Sequence, residues 1–306
     1  MSKAHSFKHR AFMNAPSTRL GTLPGEVLLQ NTEWYGDHTA SKSFNDHTDH
    51  HYTQLGFGHV DETDQNLKLR VDDDSHTLAM CYVDNMMLLG TNAKKLADVV
   101  GKLEVCFPMT EEKPDDWLGT ATEYHICPGN YLESRLDITL AGYIEAVAAN
   151  YAPYGIFTMK KPSLPLSPDF KLVQFLNDDE AQQPRPNVPF PKIVGELTWM
   201  QQHAFPCLSF SHNAVARCLG NWRMRHWRNA LQVMLFAYDN RHKPWTIRGS
   251  KMSESELVAF ADASKNDELD TGYTTLSFQI YLNGNLVINK TKRKKRIIDA
   301  TQGQEV

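Results

Sequence analysis

The chain has 306 residues, of which 41% are apolar and 22% charged, with a formal net charge of −4. That balance excludes a disordered polyelectrolyte and leaves enough chain to bury a sizeable core in roughly two or three subdomains. No apolar run reaches the length of a membrane span and the Met1-Ser2-Lys3 start has no apolar signal region, so an intracellular protein, cytoplasmic or nuclear, without a membrane partner is expected.

In chain order, residues 1–30 lack periodicity and carry helix-breaking Pro16 and Pro24, which predicts an irregular lead-in. Between Glu33 and Tyr52 the aromatic residues Trp34, Tyr35, Phe44 and Tyr52 are spaced to mark one helical face. Leu67-Lys68-Leu69-Arg70-Val71 alternates apolar with polar residues and predicts a strand, and Asp72-Asp73-Asp74 predicts a solvated turn after it. Leu78 to Val83 and Met86 to Gly90 read as two apolar strands joined by an Asp84-Asn85 turn, because both residue types tolerate left-handed backbone. A helix follows over Lys94–Leu103, with Leu96, Val99, Val100 and Leu103 at helical spacing.

Thr139 is placed to cap a further helix whose inner side carries Tyr143, Ile144, Val147, Ala148 and Tyr151. Residues 162–191, rich in Pro, Asp and Gln, predict a long linker. Helices are expected at Ile193–Gln202 and along the stripe Trp227, Leu231, Met234, Leu235, Tyr238. Strands are expected at 257–261 and 276–282, the latter turning through Asn283-Gly284 into 286–288.

Five cysteines, odd in number and without a Cys-x-x-Cys pair, suit free thiols and exclude a zinc ribbon or a disulfide framework. His38, His47, His50 and His51 with Asp37, Asp46 and Asp49 are ligand types that suit a transition metal, and His47 and His51 stand four residues apart; no cysteine or matching downstream ligand defines a geometry, which favours a solvated acidic face. Arg223, Arg225 and Arg228 interleave with Trp222 and Trp227, as in proteins that hold single strands, or else mark a helix entry. The run Lys290 to Arg296, including Lys292, Arg293, Lys294, Lys295 and Arg296, is a candidate phosphate-binding or nuclear-localisation segment, or a solvated strand edge. Against these stands an acidic stretch from Glu33 to Asp74 that repels a phosphate backbone.

Taken collinearly, the segments resemble the polymerase and ribonuclease H end of a copia-type LTR retrotransposon polyprotein. Leu55-Gly56-Phe57 and Tyr82-Val83-Asp84-Asn85 are similar to that family's palm and its Tyr-x-Asp-Asp hairpin. Phe107-Pro108-Met109-Thr110 with Trp117-Leu118-Gly119, then Gly142-Tyr143-Ile144-Glu145, resemble the stretches that follow, the second in the thumb. Ile193 to Met200, His226 to Leu231 and Phe260-Ala261-Asp262-Ala263 resemble the connecting helices and the opening of the ribonuclease H domain.

The resemblance implies an α+β chain: a partial reverse-transcriptase palm (antiparallel sheet with packed helices), a helical thumb and connection, and an incomplete ribonuclease H-like sheet. The implied segments are an irregular lead-in at 1–32, palm at 33–110, thumb and linker at 111–192, connecting helices at 193–250 and ribonuclease H-like segment at 251–306. It further implies RNA-directed DNA synthesis with Mg²⁺ on an RNA/DNA template-primer, with Asp84 as a metal ligand, and Asp262 and Glu305 as metal ligands of the ribonuclease H site.

Two departures matter. Asn85 replaces the hairpin's second aspartate, and residues 1–30, where an upstream metal-binding aspartate is needed, contain no aspartate and only Glu26. The expected state is therefore a truncated, catalytically impaired polymerase remnant. A non-catalytic nucleic-acid binder and a decaying transposon fragment without selected function are the alternatives.

Overall fold

The computed structural model describes residues 11–14, 27–30, 40–61, 63–83, 85–110, 116–251, 255–264 and 267–294. The chain divides into two compact units, Met1–Glu111 and Glu112–Val306. Both mix helices with antiparallel sheets. Among the described residues no helix is long and apolar enough to cross a membrane.

In the first unit, β1 (Ala11–Asn14) and β2 (Val27–Gln30) pair as a two-stranded ribbon inside the segment expected to be irregular. Helix α1 (Ala40–Gln54) carries Phe44 and Tyr52; Trp34 and Tyr35 lie outside the described residues. A four-stranded antiparallel sheet follows, with β3 (Gly58–Asp61), β4 (Asp64–Asp72), β5 (Ser75–Tyr82) and β6 (Asn85–Gly90) in that spatial order. Helix α2 (Ala93–Cys106) starts at Asn92, whose side chain accepts hydrogen bonds from the backbone N–H groups of Lys94 and Lys95. Tyr52, Phe57, Ala79, Cys81, Val99, Leu103 and Phe107 form one buried cluster.

The sheet departs from its sequence pattern in one informative way. Register places Lys68 opposite Ala79, a fully buried residue, so the polar side of β4 belongs to the core face. Lys68 is itself only 4% exposed, whereas Val71 on the alternate face is 63% exposed. Alternation identified the strand correctly, but its polar residues point inward.

The second unit contains a sheet of β7 (Asp116–Trp117), β8 (Thr120–His125), β9 (Arg135–Thr139) and β10 (Trp245–Arg248), in the order β10-β9-β8-β7. The register Trp245↔Ile138 to Arg248↔Arg135 joins chain segments more than a hundred residues apart, a pairing no local pattern announces. Thr139 ends β9 and does not cap the next helix: α3 (Ala141–Ala149) begins after Leu140 without a side-chain cap. Past α3, the expected linker is largely irregular: it holds the short α4 (Asp178–Gln182), and its last two residues, Phe190 and Pro191, already belong to the next helix.

Helices α5 (Phe190–His203), α6 (Ser209–Ala216) and α7 (Met224–Asp239) then pack with α3 around Ile144, Phe190, Leu197, Met200, Leu231 and Met234. Each such buried side chain contributes about 1.5–3 kcal/mol, so this cluster dominates the unit's stability. The last three strands, β11 (Leu257–Ala263), β12 (Thr274–Leu282) and β13 (Asn285–Lys294), form an antiparallel sheet with β12 central. At the turn between β12 and β13, Asn283 and Gly284 have φ of 50° and 74°, the left-handed pair that a two-residue hairpin requires.

Candidate functional site

The hairpin formed by β5 and β6 is the first candidate. Tyr82 pairs with Asn85, so Asn85 already belongs to β6 and the connection begins one residue earlier than the expected Asp84-Asn85 turn. Val83 therefore occupies a turn position, with φ of 55°. A β-branched residue resists that conformation at a cost of about 1–2 kcal/mol. Tyr82 and Val83 are half exposed, at 52% and 55%. Asp84 lies outside the described residues.

Under the hairpin, α1 supplies Asp49 to Lys68 at 2.9 Å and to His59 at 3.2 Å. Lys68 also donates to the Gln65 carbonyl and lies 5.8 Å from the centre of the Tyr52 ring, while the Tyr52 hydroxyl reaches the Met86 sulfur at 3.6 Å. Burial pushes the Asp49 carboxyl up, but the Lys68 hydrogen bond and charge, with His59, outweigh it and leave the group below its ordinary value. These contacts position the hairpin on α1. His47 and His51 of the same helix pack their rings against each other and against Phe107, so they serve the packing of α1. Among the described residues no group of three or more His, Cys, Asp or Glu side chains is placed to hold a metal ion; Asp37, His38 and Asp84 lie outside the described residues.

The second candidate, the arginine-rich entry to α7, requires correction. Arg223 is buried, at 7% exposure. Its guanidinium donates to the carbonyls of Glu180 (3.0 Å), Ala181 (2.7 Å) and Trp222 (3.0 Å) and to the Asn221 Oδ1 (2.6 Å), and it covers the Phe175 ring at 4.9 Å. Arg225 pairs with the Glu180 carboxylate at 3.0 Å and donates to the Val173 carbonyl at 3.1 Å. The two arginines thus tie α4 and the chain before it to the start of α7, and most of the Arg223 donors and the Nε and Nη2 of Arg225 are spent within the fold. His226 completes the knot by accepting the Arg223 backbone N–H at 2.8 Å, and burial and then the Arg225 charge push its pKa down to about 4. Arg228, one turn on, is exposed.

On β13, Arg293 bonds the Glu268 carboxylate at 2.6 Å and stacks on Tyr273 at 4.6 Å, so it too is engaged within the fold. Lys290 and Lys292 are exposed and Lys294 is partly buried; Lys295, Arg296 and Glu305 lie outside the described residues. Asp262 is exposed on β11, opposite Ser277, and lines an open cleft of about 420 Å³ together with Cys207, Phe210 and Phe260. The three carboxylates singled out from the sequence are therefore represented among the described residues by Asp262.

The chain is similar to the "Putative transposon Ty5-1 protein" of Saccharomyces cerevisiae, 24% identical over 286 residues, which cover 90% of this chain and 87% of that protein. The chain is of transposon-related origin. No protein-family model matches it, and no solved structure matches it.

For this transposon-related chain, sequence reasoning missed the pairing of Asp49 with Lys68 and the role of Glu180. A lysine between two leucines on a predicted strand carries no sign that it faces the core. Glu180 sits in a stretch without periodicity, more than forty residues from the two arginines it joins. Only the fold brings those charges together.

Proposed function

We propose that this chain is the remnant of a copia-type retrotransposon RNA-directed DNA polymerase, catalytically impaired by itself. The observation that carries the reading is the β5–β6 hairpin. It is a rigid apolar ribbon with a strained Val83 next to Asp84 in sequence, and the first residue of the return strand is the amide Asn85 where the resembled family has a carboxylate. The relation to a transposon protein over most of the chain supports the reading, as does a three-stranded antiparallel sheet whose first strand carries Asp262, within the segment whose sequence resembles the family's ribonuclease H opening.

Polymerases of this kind use two divalent metals between carboxylates to activate the primer hydroxyl and to neutralise the incoming phosphates. An amide keeps the shape of a carboxylate but lacks its charge, so Asn85 cannot contribute an anionic ligand. Residues 1–30 offer no upstream aspartate to bridge the metals.

Primer extension on an RNA template tests this, with the wild-type chain, Asp84→Ala and Asn85→Asp run side by side in magnesium and in manganese. The expected result is no elongation by the wild type. Robust wild-type elongation that disappears in Asp84→Ala overturns the impairment. Elongation restored by Asn85→Asp alone would show that the amide is the lesion.

A second reading, a non-catalytic nucleic-acid binder, is favoured by the exposure of Arg228, Lys290 and Lys292 while Arg223, Arg225 and Arg293 are occupied. It expects salt-sensitive binding of single-stranded RNA or DNA that survives Asp84→Ala and weakens in Lys290→Glu/Lys292→Glu. Binding that does not depend on salt speaks against it.

A further inference from the structure

A cleft of about 390 Å³ opens in the second unit between the C-terminal end of α5, α6 and strand β13, with Trp245 of β10 at one side. Its volume lies at the low end of the roughly 300–1,000 Å³ typical of small-ligand pockets. The lining is chemically unusual for this chain. In a protein with 36 Asp and Glu residues, the cleft is lined by no carboxylate among the described residues; its polar side chains are the carboxamides of Gln201, Gln202, Asn213 and Asn289, the Ser209 and Thr291 hydroxyls, the His212 imidazole and the Lys290 ammonium.

Part of this wall is already fixed. Asn213 donates to the Thr291 carbonyl at 3.3 Å and accepts from Arg217 at 2.9 Å. Asn289 donates to the Pro206 carbonyl at 2.5 Å, and Ser209 bonds the Thr291 hydroxyl at 3.1 Å. His212 is tied to the Thr198 hydroxyl at 2.8 Å. These bonds hold β13 against α6 and make the cleft a formed feature of the unit. Among the described residues no partner engages the side chains of Gln201, Gln202 or Lys290. Two free carboxamides, an indole and an ammonium thus share one depression.

Carboxamides match the donor–acceptor edge of a nucleobase, an aromatic ring offers a stacking surface to any base, and an ammonium without competing carboxylates accepts phosphate. We propose that the cleft between α5, α6 and β13 is a nucleotide-binding site, in which Gln201 and Gln202 meet the base edge, Trp245 its face and Lys290 the phosphate. The ligand chemistry is that of a single unpaired nucleotide, whether free or part of a strand. The site is built wholly within the second unit and does not depend on the polymerase reading, because the Asp84 hairpin belongs to the first unit.

The test is isothermal titration of the full chain with adenosine monophosphate, ribose 5-phosphate and an eight-residue single-stranded oligoadenylate. The variants are Gln202→Glu, Trp245→Leu and Lys290→Glu, each checked by thermal unfolding. Gln202 is exposed near a helix end, so Gln202→Glu keeps the fold while placing a negative charge in the cleft. Adenosine monophosphate should bind at least tenfold more tightly than ribose 5-phosphate. Gln202→Glu, Lys290→Glu, and Trp245→Leu where it retains the wild-type melting temperature, should each weaken it about tenfold or more. Oligoadenylate binding more tightly than the monophosphate, with the same sensitivity to Gln202→Glu, identifies the ligand as a nucleotide within a strand; equal affinities identify a free nucleotide. No preference for the base over ribose 5-phosphate, or affinity untouched by Gln202→Glu, overturns the proposal.

Discussion

Lys68 of β4 and Asp49 of α1 meet at 2.9 Å on the inner face of the hairpin sheet, with the lysine 4% exposed and the aspartate side chain 39% exposed. The pair fixes which face of the sheet the helix covers, and so where the strained Val83 turn stands. An inward lysine needs an anionic partner, since an unpaired buried ammonium costs several kcal/mol.

Removing Asp49 therefore costs more than an exposed ion pair is worth. Asp49→Ala should destabilise the first unit by about 1–3 kcal/mol, a range that allows for solvent screening at the aspartate. Lys68→Met in the same background should recover part of the loss, because it removes the orphaned charge and leaves an apolar stem of similar length. Urea denaturation of the single and double variants checks this; additive losses would mean that the two residues do not act as a pair.

The same pair sets a pH dependence. The folded state holds Asp49 below its ordinary value, so the stabilisation is present at neutral pH and is lost as pH falls below about 4, where the unfolded chain takes up the proton first. Asp49→Asn should flatten this part of the acid limb of the stability curve. A wild-type limb identical to that of the variant would remove Asp49 from the account.

At the hairpin, Val83 bears left-handed backbone that asparagine tolerates far better. Val83→Asn should stabilise the first unit by about 1 kcal/mol, since the valine side chain is 55% exposed and little packing is lost. A lower melting temperature in Val83→Asn would show that the valine side chain contributes more than its backbone costs.

In the second unit, Arg223→Ala should act on folding and not on affinity. It deletes donors to three buried or half-buried carbonyls and an amide, a loss of about 2–4 kcal/mol. Thermal unfolding should shift by several degrees, while nucleic-acid affinity measured well below the transition stays at the wild-type value. Loss of affinity without loss of stability would return Arg223 to a contact role.

Glu196 of α5 gives a prediction of opposite sign. It accepts the Tyr151 hydroxyl within the helical core, and burial raises its carboxyl above the ordinary value despite that hydrogen bond and Lys192. The folded state therefore holds the proton longer than the unfolded chain, and stability falls as pH rises from the ordinary glutamate value through the raised one. Glu196→Gln should raise the melting temperature at pH 7 and make little difference at pH 4. A gain of equal size at both pH values would point to packing instead of charge.

Local chemistry made much of this protein readable from its residues. The α7 stripe, the Asn283-Gly284 turn, the α2 helix and the existence of the 78–90 hairpin each follow from spacing or turn preference within a dozen residues. So did Asn85 as the odd residue beside Asp84, because an amide in place of a carboxylate is visible without coordinates. What only the tertiary structure decided are the relations between distant segments: β9 with β10, Glu180 with Arg223 and Arg225, β13 with α6, and the cleft these last two enclose. Periodicity shows that a strand has two faces but not which face a helix will cover. In β4 that choice went to the polar side because α1 presents Asp49 to it, a contact between charges 19 positions apart that neither segment shows alone.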